Sequence, residues 1–237
     1  MTIDPLIPDY TGACLSNIIP AFLEHSVIGS GWIPDEVLAA DKIVLLLVDG
    51  FGYEQFVTSE QRGLVPNLTK MNSKKIMTVA PTTTATALTS LTTGRPPGEH
   101  GVIGYKVSIG NQILNSLRWT TGRGVAVNEI NPSSFQPIPP FLGETIPAVS
   151  PAEFRNSGFT EAHLRNAHYE GYFLPSNISH HIAQCLGQES RLVYAYYDGL
   201  DKVGHIHGMG SFHDAEIAFV DYLIGQIYET LPSGTAL

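Results

Sequence analysis

Cysteine is nearly absent from this chain. Cys14 and Cys185 stand far apart, and neither belongs to a CxxC pair. That excludes a disulfide framework and a cysteine-built metal knuckle, and leaves two small hydrophobes for the interior. Basic residues are scarce as well, 13 Lys and Arg against 22 Asp and Glu, for a net charge of −9. Such a balance excludes a surface that grips nucleic acid through its phosphates. A small phosphorylated ligand is not excluded, because a local metal charge outweighs the global field. Long apolar runs are missing too. The longest, Ile43 to Val48, is far too short to cross a bilayer. Met1 to Asn17 carries Asp4, Asp9 and two prolines but no apolar core of a secretory signal. The expectation is a cytoplasmic protein with no membrane interaction.

What is present suits a folded α/β protein. Apolar residues make up 43% of the 237 and charged residues 15%, enough hydrophobic material for a large core and too little charge for a disordered chain. We expect a single domain over 1–237, with a hairpin and an irregular excursion at about 102–151. No repeat or low-complexity tract interrupts it.

Three stretches stand out. KIVLLLV, Lys42 to Val48, is continuously apolar, as in a strand of a parallel sheet buried on both faces, and it ends in Asp49-Gly50. Functional residues of open α/β sheets gather at the carboxyl ends of strands, and a carboxylate there is costly to bury unless paired or metal-bound. The plainer reading of Asp49 is a cap for the helix beginning near Tyr53. The second stretch is Ala80 to Gly101, where Thr82, Thr83, Thr84 and Thr86 crowd the start of a helix over 84–93 closed by Gly94. Threonines there are ordinarily caps, but several cannot all cap one helix, and a helix N-terminus also suits an anionic phosphoryl group. The third is RLVYAYY, a buried strand, followed by DGLDKVGH. Asp201 and His205 lie four apart, which sets a carboxylate and an imidazole on one face of a helical turn, a workable oxygen–nitrogen pair for zinc.

Between these landmarks the pattern predicts helices at 53–61, 160–168, 177–187 and 213–230. It predicts a helix interrupted by Pro20 over 18–22 and a second strand at 73–80. A β-hairpin turning at Ile109-Gly110-Asn111-Gln112 follows, then a Pro-rich excursion over 123–151, and the start of a further strand at 235–237. Alternating strands and helices argue for an α/β/α sandwich around a mostly parallel sheet. The neighbouring His180 and His181 do not share a helix face, which disfavours them as a metal pair.

The ordered blocks KIVLLLVDGFGY, PTTTATALTSLTTGRPPGEHGVIG and DKVGH resemble the type I phosphodiesterase/nucleotide pyrophosphatase branch of the alkaline phosphatase superfamily, over about 42–237. The resemblance implies that Thr84 is a nucleophile and that two zinc ions, about 4 Å apart, clamp the reacting phosphoryl group. Asp49 and Thr84 would hold one ion and Asp201 and His205 the other; manganese or iron would also suit such ligands. The implied partner is a small phosphorylated substrate, a phosphodiester or nucleotide. Where the family often carries Pro-Asn-His after its nucleophile, this chain has Thr86, Ala87 and Leu88, so the substrate class stays open.

The family also supplies further ligands from a strand ending in Asp-His-Gly and from a later His. The expectation is therefore an alkaline-phosphatase-like domain incomplete at its C-terminus, with His100, His207 and His213 as spare imidazoles. The alternative is a non-catalytic truncated relative acting as a binding module or folding poorly. A sulfatase is disfavoured, since neither cysteine lies in a C-x-P-x-R context.

Overall fold

The computed structural model describes residues 6–24, 31–187 and 189–237. In chain order the elements begin with helices α1 (Ile18–Leu23) and α2 (Asp35–Leu38), strand β1 (Lys42–Val48) and helix α3 (Tyr53–Gln61). Next come α4 (Thr84–Thr93), α5 (Pro97–His100) and strands β2 (Lys106–Ile109), β3 (Gln112–Asn115), β4 (Thr120–Thr121) and β5 (Gly124–Val125). Then follow α6 (Pro132–Phe135), β6 (Pro147–Pro151), α7 (Gly158–Leu164), β7 (His168–Tyr172) and α8 (Ile178–Leu186). The last are β8 (Leu192–Tyr197), α9 (Gly199–His207), α10 (Ser211–Thr230) and β9 (Thr235–Ala236). They sort into two compact units, one drawn from 1–38, 76–145 and 156–167, the other from 39–75, 146–155 and 168–237.

The second unit is built on a five-stranded sheet in the order β7-β6-β8-β1-β9, with every pairing parallel. The mixed α/β fold with a mostly parallel central sheet is thus the one the sequence predicts. One face of the sheet carries Val44, Val149, Val193, Ala195 and Tyr197 against α8 and α10, which contribute Ile182, Cys185, Val220 and Ile224 among others. Each such aliphatic side chain removed from water contributes about 1.5–3 kcal/mol. The apolar run of β1 is buried on both faces only at its start. Ile43 and Val44 are buried, and Leu45 to Val48 are half-buried. The reason is pairing: β8 runs the length of β1, whereas β9 reaches only Lys42 and Ile43.

Asp221 anchors this unit. It is 2% exposed and lies on α10. Its carboxylate accepts from the backbone N–H of Leu68 at 2.8 Å and of Asn67 at 3.0 Å, and from the Asn67 side-chain amide at 3.0 Å. Asp221→Ala would strand those donors. We expect it to cost about 2–3 kcal/mol, read as a lower urea midpoint, with Asp221→Asn losing less because it keeps one acceptor.

The first unit holds α4 and a four-stranded sheet in the order β2-β3-β4-β5. The predicted hairpin turn is present, with Ile109 opposite Gln112. Helix α4 buries Ala85, Leu88 and Leu91, and it absorbs its threonines by internal bonding. The hydroxyls of Thr89, Thr92 and Thr93 donate to the carbonyls of Ala85, Leu88 and Thr89. Gly94 closes the helix in the left-handed region at φ 67°. Pro20 does not interrupt α1, because it lies in the first turn, where the backbone N–H has no helical partner.

Three further expectations differ from the structure. Residues 73–80 do not form a strand; they carry one isolated bridge, Met77 to Cys14. The end of the 123–151 excursion is β6, a fully buried strand between β7 and β8. Its prolines stand at the two ends, where a missing N–H is tolerated. The helix at 160–168 stops at Leu164, Asn166 turns at φ 68°, and His168 begins β7.

Candidate active site

The second unit gathers chemistry at the carboxyl end of its sheet. Asp49 follows β1 directly, and its backbone N–H donates to the Tyr197 carbonyl at 2.9 Å, which extends the β1–β8 ladder to the carboxylate. Gly50 then turns at φ 78°. A Cβ on Gly50 would lie 2.8 Å from the Asp201 Cα and 3.0 Å from its backbone N. Only glycine permits that approach, and it brings the first turn of α9 against the end of β1.

On α9 the predicted pair is formed. His205 Nε2 lies 3.6 Å from Asp201 Oδ1, with the imidazole 80% exposed and the carboxylate 32% exposed. The unit therefore brings Asp49, Asp201 and His205 to one end of one sheet. Two other acidic groups nearby are already engaged. Asp198 pairs with Lys202 at 2.8 Å, and the Tyr197 hydroxyl donates to Glu216.

Tyr196 is a residue that the sequence reading did not single out. Its hydroxyl donates to Asp49 Oδ2 at 2.7 Å. Burial, and then the neighbouring Asp49 charge and this hydrogen bond, push the Tyr196 hydroxyl well above its ordinary pKa, so it stays protonated as a donor. The available signal was the strand register, which sets Tyr196 opposite Leu47, two residues before Asp49.

Thr84 belongs to the first unit, at the opening of α4. Thr83 is the N-cap, with extended backbone, and its carbonyl accepts the first helical bond from Ala87 N at 2.9 Å. The Thr83 and Thr86 hydroxyls bond to each other at 3.0 Å. That bond pairs two of the crowded threonines, one on either side of Thr84, itself half-buried. The first-turn N–H groups ahead of Ala87 have no helical acceptor, the usual condition for holding an anion at a helix start.

Among the spare imidazoles, His100 is committed. Val102 N donates to its Nδ1 at 3.1 Å, so the ring proton sits on Nε2 and is donated to Ser90 Oγ at 2.7 Å. Burial pushes its pKa down to about 4, so the ring is neutral at pH 7. His207 stacks on Phe212 at 4.3 Å, and His213 is buried.

Two carboxylates and an imidazole are the donor types that suit zinc, and in this respect the residues fit such an ion. Among the described residues, no group of three or more His, Cys, Asp or Glu side chains is placed to hold a metal ion. Asp201 with His205 is a pair of donors and not a closed shell. No described helix is long and apolar enough to cross a membrane.

The fold is one seen in ectonucleotide pyrophosphatase / phosphodiesterase structures. The murine ectonucleotide pyrophosphatase / phosphodiesterase 5 superposes with a TM-score of 0.59 at 16% identity, covering 81% of this chain and 53% of that one. A second structure of that murine protein, an inactive threonine-to-alanine form in complex with AMP, gives 0.58 at 15% identity, with 82% and 53% coverage. The chain thus spans about half the length of these relatives. No curated protein matches it. Residues 43–112 match the type I phosphodiesterase / nucleotide pyrophosphatase family. That matched segment contains Asp49 and Thr84.

Proposed function

We propose that the chain serves a metal-dependent phosphodiesterase or nucleotide pyrophosphatase-like hydrolase, with Thr84 as nucleophile. Asp49 and Thr84 would hold one zinc ion and Asp201 and His205 a second. The observation that carries this reading is the convergence of Asp49, Gly50 and the Asp201–His205 pair at one sheet end. The inactive threonine-to-alanine form of the murine relative supports a threonine nucleophile in this fold.

Bound zinc would lower the pKa of the threonine hydroxyl and neutralise charge on the phosphoryl and leaving oxygens. Thr84 Oγ1 would attack phosphorus as its proton passes to solvent, and the bond from phosphorus to the leaving oxygen would break. Water would then attack the phospho-threonine, break its bond to Oγ1 and return the hydroxyl. The first-turn N–H groups of α4 would bind the phosphoryl oxygens. The substrate class is a small phosphodiester or nucleotide, in keeping with the AMP bound by the murine relative. Two buried free thiols, Cys14 and Cys185, suit a reducing compartment such as the cytoplasm.

The test is hydrolysis of bis(p-nitrophenyl) phosphate by the purified chain. We expect release of p-nitrophenol with zinc present, none after chelation, and recovery when zinc is returned. Release that ignores chelation would sink the metal reading. A second reading, a non-catalytic relative that acts as a binding module, is favoured by the lack of a three-donor group among the described residues. Nucleotide binding without turnover, with or without zinc, would select it.

A further inference from the structure

We propose that the outer edge of β7 pairs with β7 of a second copy of this chain, joining the two parallel sheets into one. The inference stands apart from the metal reading. Strand β7 closes the five-stranded sheet on one side, and among the described residues no strand pairs with its outer edge. The alternation of the ladder fixes which groups that edge presents. The His168 N–H donates inward, to the Ile146 carbonyl at 2.8 Å, so Glu170 and Tyr172 also turn their backbone groups toward β6. Tyr169 and Gly171 turn theirs outward. Neither side chain blocks the edge. Gly171 has none, and the Tyr169 hydroxyl donates to the Pro151 carbonyl on β6 at 2.7 Å, which draws the ring away from it. Natural edges are commonly guarded by Lys, Pro or a bulge. β7 is HYEGY in unbroken register with β6 and carries none of these. Phe173 and Leu174 follow it directly, 87% and 62% exposed, so apolar surface lies at the end of the same strand.

Charge selects the occupant and its register. His168 and Glu170 lie on one face of β7, with Nε2 2.9 Å from Oε1. In an antiparallel pair about a two-fold axis at Tyr169, each Tyr169 meets its twin as a hydrogen-bonded pair, and each His168 lies directly opposite Glu170 of the second copy. Imidazoles and carboxylates then alternate around a ring of four groups. An axis at Glu170 would set the two carboxylates against each other in a close pair, which like charges disfavour. An axis at Gly171 would set His168 and Glu170 against Leu174 and Tyr172. The register centred on Tyr169 is the self-complementary one.

The experiment measures the mass of the 237-residue chain in solution, by sedimentation over rising concentration. The parent should move from 25.7 kDa toward twice that mass. Glu170→Lys sets a lysine against the imidazole and should raise the dissociation constant at least about tenfold. The swapped pair, His168→Glu with Glu170→Lys, should restore association, because every residue 168 still faces an opposite charge at 170. Tyr169→Cys should form an interchain disulfide on mild oxidation, since the Cα atoms of a hydrogen-bonded pair lie about 5.5 Å apart, within disulfide reach. Tyr222→Cys, exposed on α10, should not. The native Cys14 and Cys185 are buried and do not compete. A parent that stays monomeric at every concentration overturns the proposal. So does a dimer that Glu170→Lys leaves intact, a dimer that the swap fails to restore, or equal cross-linking at positions 169 and 222. Should Glu170→Lys fail to fold, the disulfide result decides.

Discussion

Thr84→Ala is expected to abolish turnover of an aryl phosphodiester while leaving the fold in place. Deleting a group that forms a covalent intermediate typically costs on the order of 10⁴-fold or more in kcat. The variant is informative because its structural cost is small. Thr84 is the first residue of α4, half-buried, while the N-cap is Thr83 and the buried apolar contacts come from Ala85, Leu88 and Leu91. The hydroxyl bonds that tie this turn together run between Thr83 and Thr86, so they survive the change. Alanine is also the better helix former, by a few tenths of a kcal/mol. Stability should therefore hold or rise slightly as activity disappears. Thr84→Ser, which keeps the hydroxyl, should retain measurable turnover. A Thr84→Ala variant that hydrolyses the diester at the parent rate would remove Thr84 from the chemistry and move attention to Thr82 or Thr83.

The same helix shows what a sequence can disclose. Helix α4 was legible because Ala85, Leu88 and Leu91 repeat at helical spacing and Gly94 supplies the left-handed closure. The start of α9 was legible because Asp201 and His205 are four apart after a buried strand, and the structure places them 3.6 Å from one another. Strands β6 and β7 were not legible. PAVSP is bracketed by the residue that ordinarily breaks strands, and HYEGY has neither an apolar run nor clean alternation. β6 owes its existence to pairing with β8 and β7 to pairing with β6, a non-local cause that no window of the sequence contains. The 73–80 stretch errs the other way, being β-prone locally but paired only through Met77. Tyr196 was hidden for a related reason. Its bond to Asp49 depends on the register between two strands nearly 150 residues apart in the chain. A strand of alternating tyrosines does not say which hydroxyl meets a carboxylate.

Gly50→Ala should be among the most damaging single substitutions in the sheet unit, and it tests how Asp49 and Asp201 come together. Gly50 sits at φ 78°, a region that an L side chain enters at a cost of about 1–3 kcal/mol. The new methyl would also lie 2.8 Å from the Asp201 Cα and 3.0 Å from its N and Cβ. Those are atoms at the backbone of a helix, not the tip of a flexible side chain, so α9 itself would have to move. Overpacking of this kind adds about 1–3 kcal/mol. The combined loss, about 2–6 kcal/mol, should appear as a large drop in the urea midpoint. Gly52→Ala is the natural comparison. Gly52 has φ −90°, and the nearest atom to its added methyl is the end of the Gln55 side chain at 3.6 Å, so that variant should be close to neutral. Zinc affinity adds a second readout. If Asp201 is a ligand, moving α9 carries it and His205 away from Asp49, and zinc binding should weaken even under conditions where Gly50→Ala remains folded. A folded Gly50→Ala that holds zinc like the parent would show that the close approach of the β1 turn to α9 serves packing alone. A folded variant that has lost zinc would show that the missing side chain at position 50 is part of how the site is made.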